Sequence, residues 1–338
     1  MIEKNLKSEL LCPDGKVLIH TLPENKLRLI IQPNHGVFCP AMECETSYTE
    51  SLVRQIANVK GAAWVCNEIF RDEKKDYLEN SLVYGLLGFV REEVFAGKRI
   101  LDFGCGCGAS TSILSRLFPD SEIVGLEYMK DYIDVCESRK EFYGFKNVRF
   151  MATPSAGGLP PDLGKFDFVL MCGVFEHLLP DERTGLFIDI WNLLHEGGIM
   201  FMNHTPHRYF PLEIHTTSGL PLLNYFPDSI AERYAKTFSK RNLNNMSWNE
   251  LLRNGIRGSS PDEIIRVLRN NSCNPELLKP RYLDIGDSID LWFASHGKHS
   301  HQGSKLKLYK LLKFFKNITG VELPPYISIA IQKKNQEK

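Results

Sequence analysis

A chain of 338 residues has the length of about two domains, or of one domain with large additions, and 43% hydrophobic with 24% charged residues is the balance of a folded core and a solvated surface. Forty-one basic residues match forty-one acidic ones, so the formal net charge is zero, which argues against a nucleic-acid partner, whose phosphates call for a basic excess. No apolar run nears the ~20 residues that cross a bilayer, the first residues lack the apolar core of a secretion signal, and nine cysteines without a repeating framework fit reduced thiols.

These features predict a cytoplasmic protein with no stable membrane insertion. Residues 1–96 read as an N-terminal extension. In it, Val17–His20 and Leu27–Ile31 flank Leu22-Pro23-Glu24-Asn25 and predict a β-hairpin. Helical periodicity follows in Ser47–Val59 and in Tyr77–Phe95, where Leu78, Leu82, Leu86 and Phe89 recur at steps of three and four.

From residue 97 the pattern changes to strands alternating with helices, and residues 97–338 read as one α/β domain. Strands are predicted at Arg99–Phe103, Glu122–Leu126, Val148–Met151, Phe166–Cys172 and Ile199–Asn203. Helices are predicted at Ala109–Phe118, Met129–Tyr143 and Pro180–Leu194. Such spacing implies right-handed crossovers and a parallel sheet. The stretch 204–260, rich in aromatics, Pro and Asn, reads as an insertion covering the site. Asp262–Arg269 resumes a helix, and Arg281–Asp290 with Tyr326–Gln332 are the expected last two strands. The basic, amphipathic stretch Lys305–Lys316 reads as a surface helix with solvated lysines, a contact with a membrane surface or anionic partner being the alternative.

The chemistry concentrates at one end of this pattern. An apolar strand runs through Asp102 into a turn holding Gly104, Cys105, Gly106 and Gly108, and a helix starts directly after. Glycines let a ligand lie against bare backbone, and the amides of a helix start face it. The same turn fits a relaxed dinucleotide fingerprint. Asp102 inside it would repel a pyrophosphate, yet would attract an ammonium. Glu127, closing the second strand, suits a pair of ribose hydroxyls, with Tyr128 beside it.

Asp102-Phe-Gly-Cys-Gly-Cys-Gly108, Glu127, Phe166-Asp-Phe-Val-Leu170 and Phe175-Glu-His-Leu178 resemble, in order and spacing, the motifs of class I S-adenosylmethionine (SAM) dependent methyltransferases. The resemblance covers about residues 98–204. It implies a Rossmann-like α/β fold with a seven-stranded, mostly parallel sheet whose last strand is antiparallel. It also implies that Asp102 and the glycine turn hold the methionine part of SAM, that Glu127 holds the ribose, and that Cys172 and Glu176 border the cofactor. Where the family usually carries an Asp-Ala pair near the adenine, Ser155-Ala156 stand here, a weaker acceptor than a carboxylate.

The acceptor is expected to be a small molecule methylated on oxygen, plausibly sugar-like. His177, His204 and His207 are the candidate bases, with Arg208, Glu213 and His215 holding the acceptor. A protein or RNA methyltransferase and a non-catalytic SAM-binding scaffold stay open as alternatives, as does a homodimer. Glu176-His177 resembles half of the Glu-x-x-Glu-His motif of metal-assisted RNA-end methyltransferases. Gly173 occupies its first position, so no metal is assigned.

Overall fold

The computed structural model describes residues 6–154, 158–215, 217–295 and 302–334. Strands β1 (Leu6–Cys12), β2 (Gly15–Thr21), β3 (Leu27–Pro33) and β4 (Glu43–Thr46) form an antiparallel sheet in chain order. The expected hairpin is β2–β3, flanked by two strands that the residue pattern did not reveal. Period-two alternation turns Val17, Ile19, Leu29 and Ile31 to one buried face. Helices α1 (Glu50–Lys60) and α2 (Ala62–Glu73) cover that face. The Thr49 hydroxyl accepts the Leu52 amide at 3.3 Å and caps α1. In the turn between β1 and β2, the Asp14 carboxylate accepts the amides of Ala62 and Ala63 at 2.9 and 3.0 Å, capping α2 from a distant part of the chain.

The single helix expected over Tyr77–Phe95 is broken into three. A π turn at Lys75–Glu79 leads into α3 (Asn80–Leu87), and a 3-10 turn follows at Glu92–Phe95. The break lies at Gly88, whose carbonyl accepts the amides of Arg281 and Tyr282.

The main domain follows as β5 (Arg99–Phe103), α4 (Ala109–Leu117), β6 (Glu122–Glu127), α5 (Lys130–Tyr143), β7 (Val148–Ala152), β8 (Phe166–Cys172), α6 (Pro180–Asn192) and β9 (Leu194–Pro206). Then come α7 (Asp228–Phe238), α8 (Trp248–Arg253), α9 (Pro261–Asn270), β10 (Pro275–Leu277), α10 (Ser288–Ser295), α11 (Gln302–Thr319) and β11 (Tyr326–Lys333). The seven strands lie in the order β10-β11-β9-β8-β5-β6-β7, with β11 antiparallel to both neighbours. This is the α/β fold expected from the sequence. Helices cover both faces, so β5 and β8 are apolar nearly throughout, as strands buried on two sides must be.

Three expectations need correction. Arg281–Asp290 is not a strand; the edge strand is β10, seven residues or so upstream. The Asp287 carboxylate accepts the amides of Ile289 and Asp290 at 3.0 and 2.8 Å, so this segment opens α10 instead. The fifth strand of the domain also runs beyond Asn203, and Thr205 and Pro206 pair with Ile327 and Tyr326. His204, at φ +64°, sits where the register shifts. The stretch 204–260 is not wholly irregular, since α7 and α8 lie within it. Among the described residues no helix is long and apolar enough to cross a membrane.

A buried polar network joins the N-terminal helices to the main domain. Arg139 of α5, with no exposed side-chain surface, donates to Glu68 Oε1 at 2.9 Å, to the Cys107 carbonyl at 2.7 Å and to the Tyr48 hydroxyl at 3.1 Å. It lies 3.8 Å from Asp72, whose other oxygen pairs with Arg116 at 2.9 Å. Two guanidinium groups thus face two buried carboxylates, the balance without which such burial is strongly unfavourable.

Candidate functional site

Chain order reverses at β5, which has β6 on one side and β8 on the other. In an open α/β sheet ligands bind outside the carboxyl ends of the strands at such a point. The glycine turn leaves β5 there. Gly104 and Gly106 hold φ +72° and +57°, a region that side-chain-bearing residues avoid. A Cβ on Gly104 would stand 2.7 Å from Val174, whereas one on Gly106 would project into open space.

The turn is pinned by its carboxylates. The Gly106 amide donates to Glu127 Oε2 at 3.0 Å, and Tyr128 and Met129 donate to Oε1 at 2.9 and 3.1 Å. Asp102 Oδ2 accepts the hydroxyls of Ser110 and Thr111 at 2.7 and 2.6 Å. Its Oδ1 is buried with no hydrogen-bond partner. Burial pushes the Asp102 carboxyl up from 3.8 to about 6, the two hydroxyls pulling the other way.

Two adjoining cavities, of about 370 and 520 Å³, share Lys60, Gly104, Tyr132 and Gly173. The first lies between the glycine turn with Cys105 and Cys172 on one side and Lys60, Trp64, Asn67 and Arg71 on the other. The second is bounded by Glu127, Tyr128, Thr153, His177 and Arg253. The wall from α1 and α2 was missed in the sequence. Its signal was present: Trp64, Asn67 and Arg71 share one helical face, opposite the apolar residues Val65 and Ile69. Gly108 starts α4 and orients its first turn. Burial pushes the Cys172 thiol up to about 12, so it stays a neutral wall residue. Ser155 and Ala156 lie outside the described residues.

The acceptor-side candidates divide into two groups. Glu176, His177 and His215 come together. His177 Nδ1 lies 2.6 Å from the Arg253 carbonyl and His215 Nδ1 lies 3.0 Å from the Asn254 carbonyl, so both nitrogens must be donors. The two rings stand 4.8 Å apart at 69°. Fully buried Glu176 accepts the Thr205 hydroxyl at 3.0 Å through Oε2, while Oε1 has no hydrogen bond and lies 3.6 Å from His215 Nε2. Glu213 organises the loop that carries His215. Its carboxylate accepts the amides of His215, Ser218 and Gly219 and the Ser218 hydroxyl, at 2.6 to 2.9 Å, so it clasps the loop with both oxygens.

His204, His207 and Arg208 do not join that group. His207 Nδ1 accepts the Tyr209 amide at 3.1 Å, and the ring lines a separate cavity of about 570 Å³ with Asp262 and Asp287. Burial lowers His207 to about 4. His204 packs against the Tyr326 ring at 6.2 Å, and Arg208 lies 4.0 Å from Glu263. None of these three lines either cavity at the glycine turn.

Residues 100–198 match the model of a family described as methyltransferase domain. Over 114 residues the chain is 32% identical to a fatty-acid O-methyltransferase of Mycolicibacterium smegmatis, covering 33% of this chain and 39% of that one. It is 29% identical over 116 residues to a juvenile hormone acid O-methyltransferase of Bombyx mori, covering 32% and 40%. The chain thus spans less than half the length of these curated relatives. A solved structure of the plantazolicin methyltransferase BpumL in complex with SAH aligns over 84% of this chain and 94% of its own, at 12% identity and a TM-score of 0.45.

Proposed function

We propose that the protein, whose residues 100–198 match the methyltransferase-domain model, is a class I SAM-dependent enzyme that transfers the methyl group of SAM to an oxygen of a small-molecule acceptor. One observation carries the reading: at the switch point of the sheet Gly106 lines the first cavity and Glu127 the adjoining second, and the strand leading into the same glycine turn holds Asp102, whose buried Oδ1 has no hydrogen-bond partner. These residues fit the cofactor. Asp102 suits its ammonium, Arg71 its carboxylate, and Glu127 its ribose hydroxyls. SAM supplies a methyl group on a sulfonium, which a lone pair displaces in line.

The protein's work is therefore alignment, exclusion of water and disposal of the acceptor's proton. The helical wall from Lys60 to Arg71 and the segment ending in Arg253 and Asn254 line the cavities on two sides. His177 borders the same cavity as Glu127, and with Nδ1 given to a carbonyl its Nε2 is the nitrogen left with a lone pair. A cleft of this size on a chain of zero formal net charge favours a small acceptor over RNA. The oxygen target is supported by the two relatives named as O-methyltransferases of acids, and a sugar-like hydroxyl remains within the proposal.

Calorimetric titration with SAM, S-adenosylhomocysteine and NADH tests the cofactor, and isotope-labelled SAM incubated with cell extract tests the acceptor. Micromolar binding of the first two ligands, and label in the small-molecule fraction, are expected. Binding of NADH alone would make the protein an oxidoreductase. No binding would leave a scaffold, and label in the macromolecular fraction would favour a protein or RNA acceptor.

A further inference from the structure

We propose that Glu176, His177 and His215 bind a divalent first-row transition-metal ion at the edge of the cofactor cavity. The inference deepens the methyltransferase reading and rests on it for the use of the ion, though not for its binding. One ligand atom from each of the three residues lies within 4.8 Å of the other two. The separation of 3.6 Å between His215 Nε2 and Glu176 Oε1 is too long for a hydrogen bond. It is close to the edge of a tetrahedron, about 3.3 Å, that metal–ligand bonds of about 2.0 Å require.

Each ligand is held from behind. The Nδ1 of both histidines faces a backbone carbonyl, Arg253 at 2.6 Å and Asn254 at 3.0 Å, which fixes the tautomer and leaves Nε2 as the lone-pair donor. Glu176 is anchored through Oε2 by Thr205 at 3.0 Å, and its Oε1 has no hydrogen-bond partner although the residue has no exposed surface. A buried carboxylate oxygen with no donor carries a large desolvation cost, which a cation placed between it and the two imidazoles removes. Glu213 holds the His215 amide at 2.7 Å and so sets the third ligand's place in the loop.

Of the three residues His177 alone lines a cavity at the glycine turn, and Glu176 and His215 stand behind it. A Cβ on Gly173, which lines both cavities, would stand 3.8 Å from Glu176 Oε1, and His177 itself borders the cavity with Glu127. Two imidazoles and one carboxylate leave at least one coordination position, and an acceptor oxygen is the ligand this position would take.

The test is titration of chelator-treated full-length protein with Co2+, followed by visible absorption. One equivalent giving d–d bands without a strong thiolate charge-transfer band is expected. His215→Ala and Glu176→Gln should each weaken binding at least tenfold, whereas His207→Ala should leave it unchanged. Circular dichroism melting confirms that the variants fold, and the wild-type titration stands without them. No stoichiometric Co2+ binding to wild type, or binding that survives both variants, would overturn the site. S-adenosylhomocysteine titration of the same samples separates the two readings. Cofactor binding without Co2+ binding would sink only the metal, and Co2+ binding without cofactor binding would sink only the methyltransferase reading.

Discussion

The two halves of the site are built by opposite means. On the cofactor half, the glycine turn, Asp102 and Glu127 come from two adjacent strands, and much of what faces the cavity is backbone. On the proposed acceptor half, Glu176, His177, His215, Arg253 and Asn254 come from three separated stretches, and the side chains of the first three are set by contacts between those stretches. Backbone sites are written into short motifs because glycine spacing and strand ends are local properties. Side-chain sites depend on where loops return, which a motif does not encode.

The comparison is broken most severely at the network that supports the cofactor half. Replacing Arg139 by Leu leaves the buried Glu68 carboxylate without its 2.9 Å partner and Asp72 with Arg116 as its remaining guanidinium, and a loss of about 3–5 kcal/mol is expected in urea unfolding. A loss below about 1 kcal/mol would mean that the N-terminal helices and the glycine turn are not energetically joined.

Asp102→Asn comes next and should act in opposite directions on stability and binding. The folded-state value of about 6 lies above the ordinary 3.8, so the ionised carboxylate opposes folding. Stability contributed by this group is present at low pH and is lost as pH rises through about 6. The variant should therefore melt higher than wild type at pH ~8, by at most on the order of 3 kcal/mol, with the gain shrinking toward pH ~4. SAM affinity should fall by on the order of 100-fold, and wild-type affinity should itself decline below about pH 6 as the carboxyl protonates. An unchanged affinity in calorimetry would remove Asp102 from the cofactor site.

Arg71→Ala should have the smallest effect. A partly exposed guanidinium on the cofactor's carboxylate is worth roughly tenfold in affinity, with no change in unfolding midpoint. If Arg71→Ala binds SAM as tightly as wild type, the helical wall encloses the cofactor without holding it.

The sequence made the positions of these strands legible because β5, β6, β8 and β9 are near-continuous apolar runs punctuated by Gly104, Glu127 and Gly173. It did not disclose Lys60, Trp64, Asn67 and Arg71, because the angle at which α1 and α2 cross the sheet is set by tertiary packing. The histidine-rich stretch at and after the end of β9 is dense in chemistry, yet density does not tell which rings turn inward. The bulge near His204 and the extension of β9 to Pro206 send His207 to a different cavity, and the Glu213 clasp carries His215 back to Glu176. Arg281–Asp290 reads as a strand from its apolar content, but Asp287 is a helix cap, and a cap outweighs a weak alternation.

The Asp14 carboxylate that caps α2 has a consequence for how the chain can vary. The β1–β2 turn is the shortest connection of the small sheet, and surface turns of this kind ordinarily absorb inserted residues without harm. Here the turn also seats the first residues of the helix that carries Trp64, Asn67 and Arg71. A cofactor wall and a remote hairpin are thereby locked to a common length, so related chains that keep the wall are expected to keep the turn without insertions.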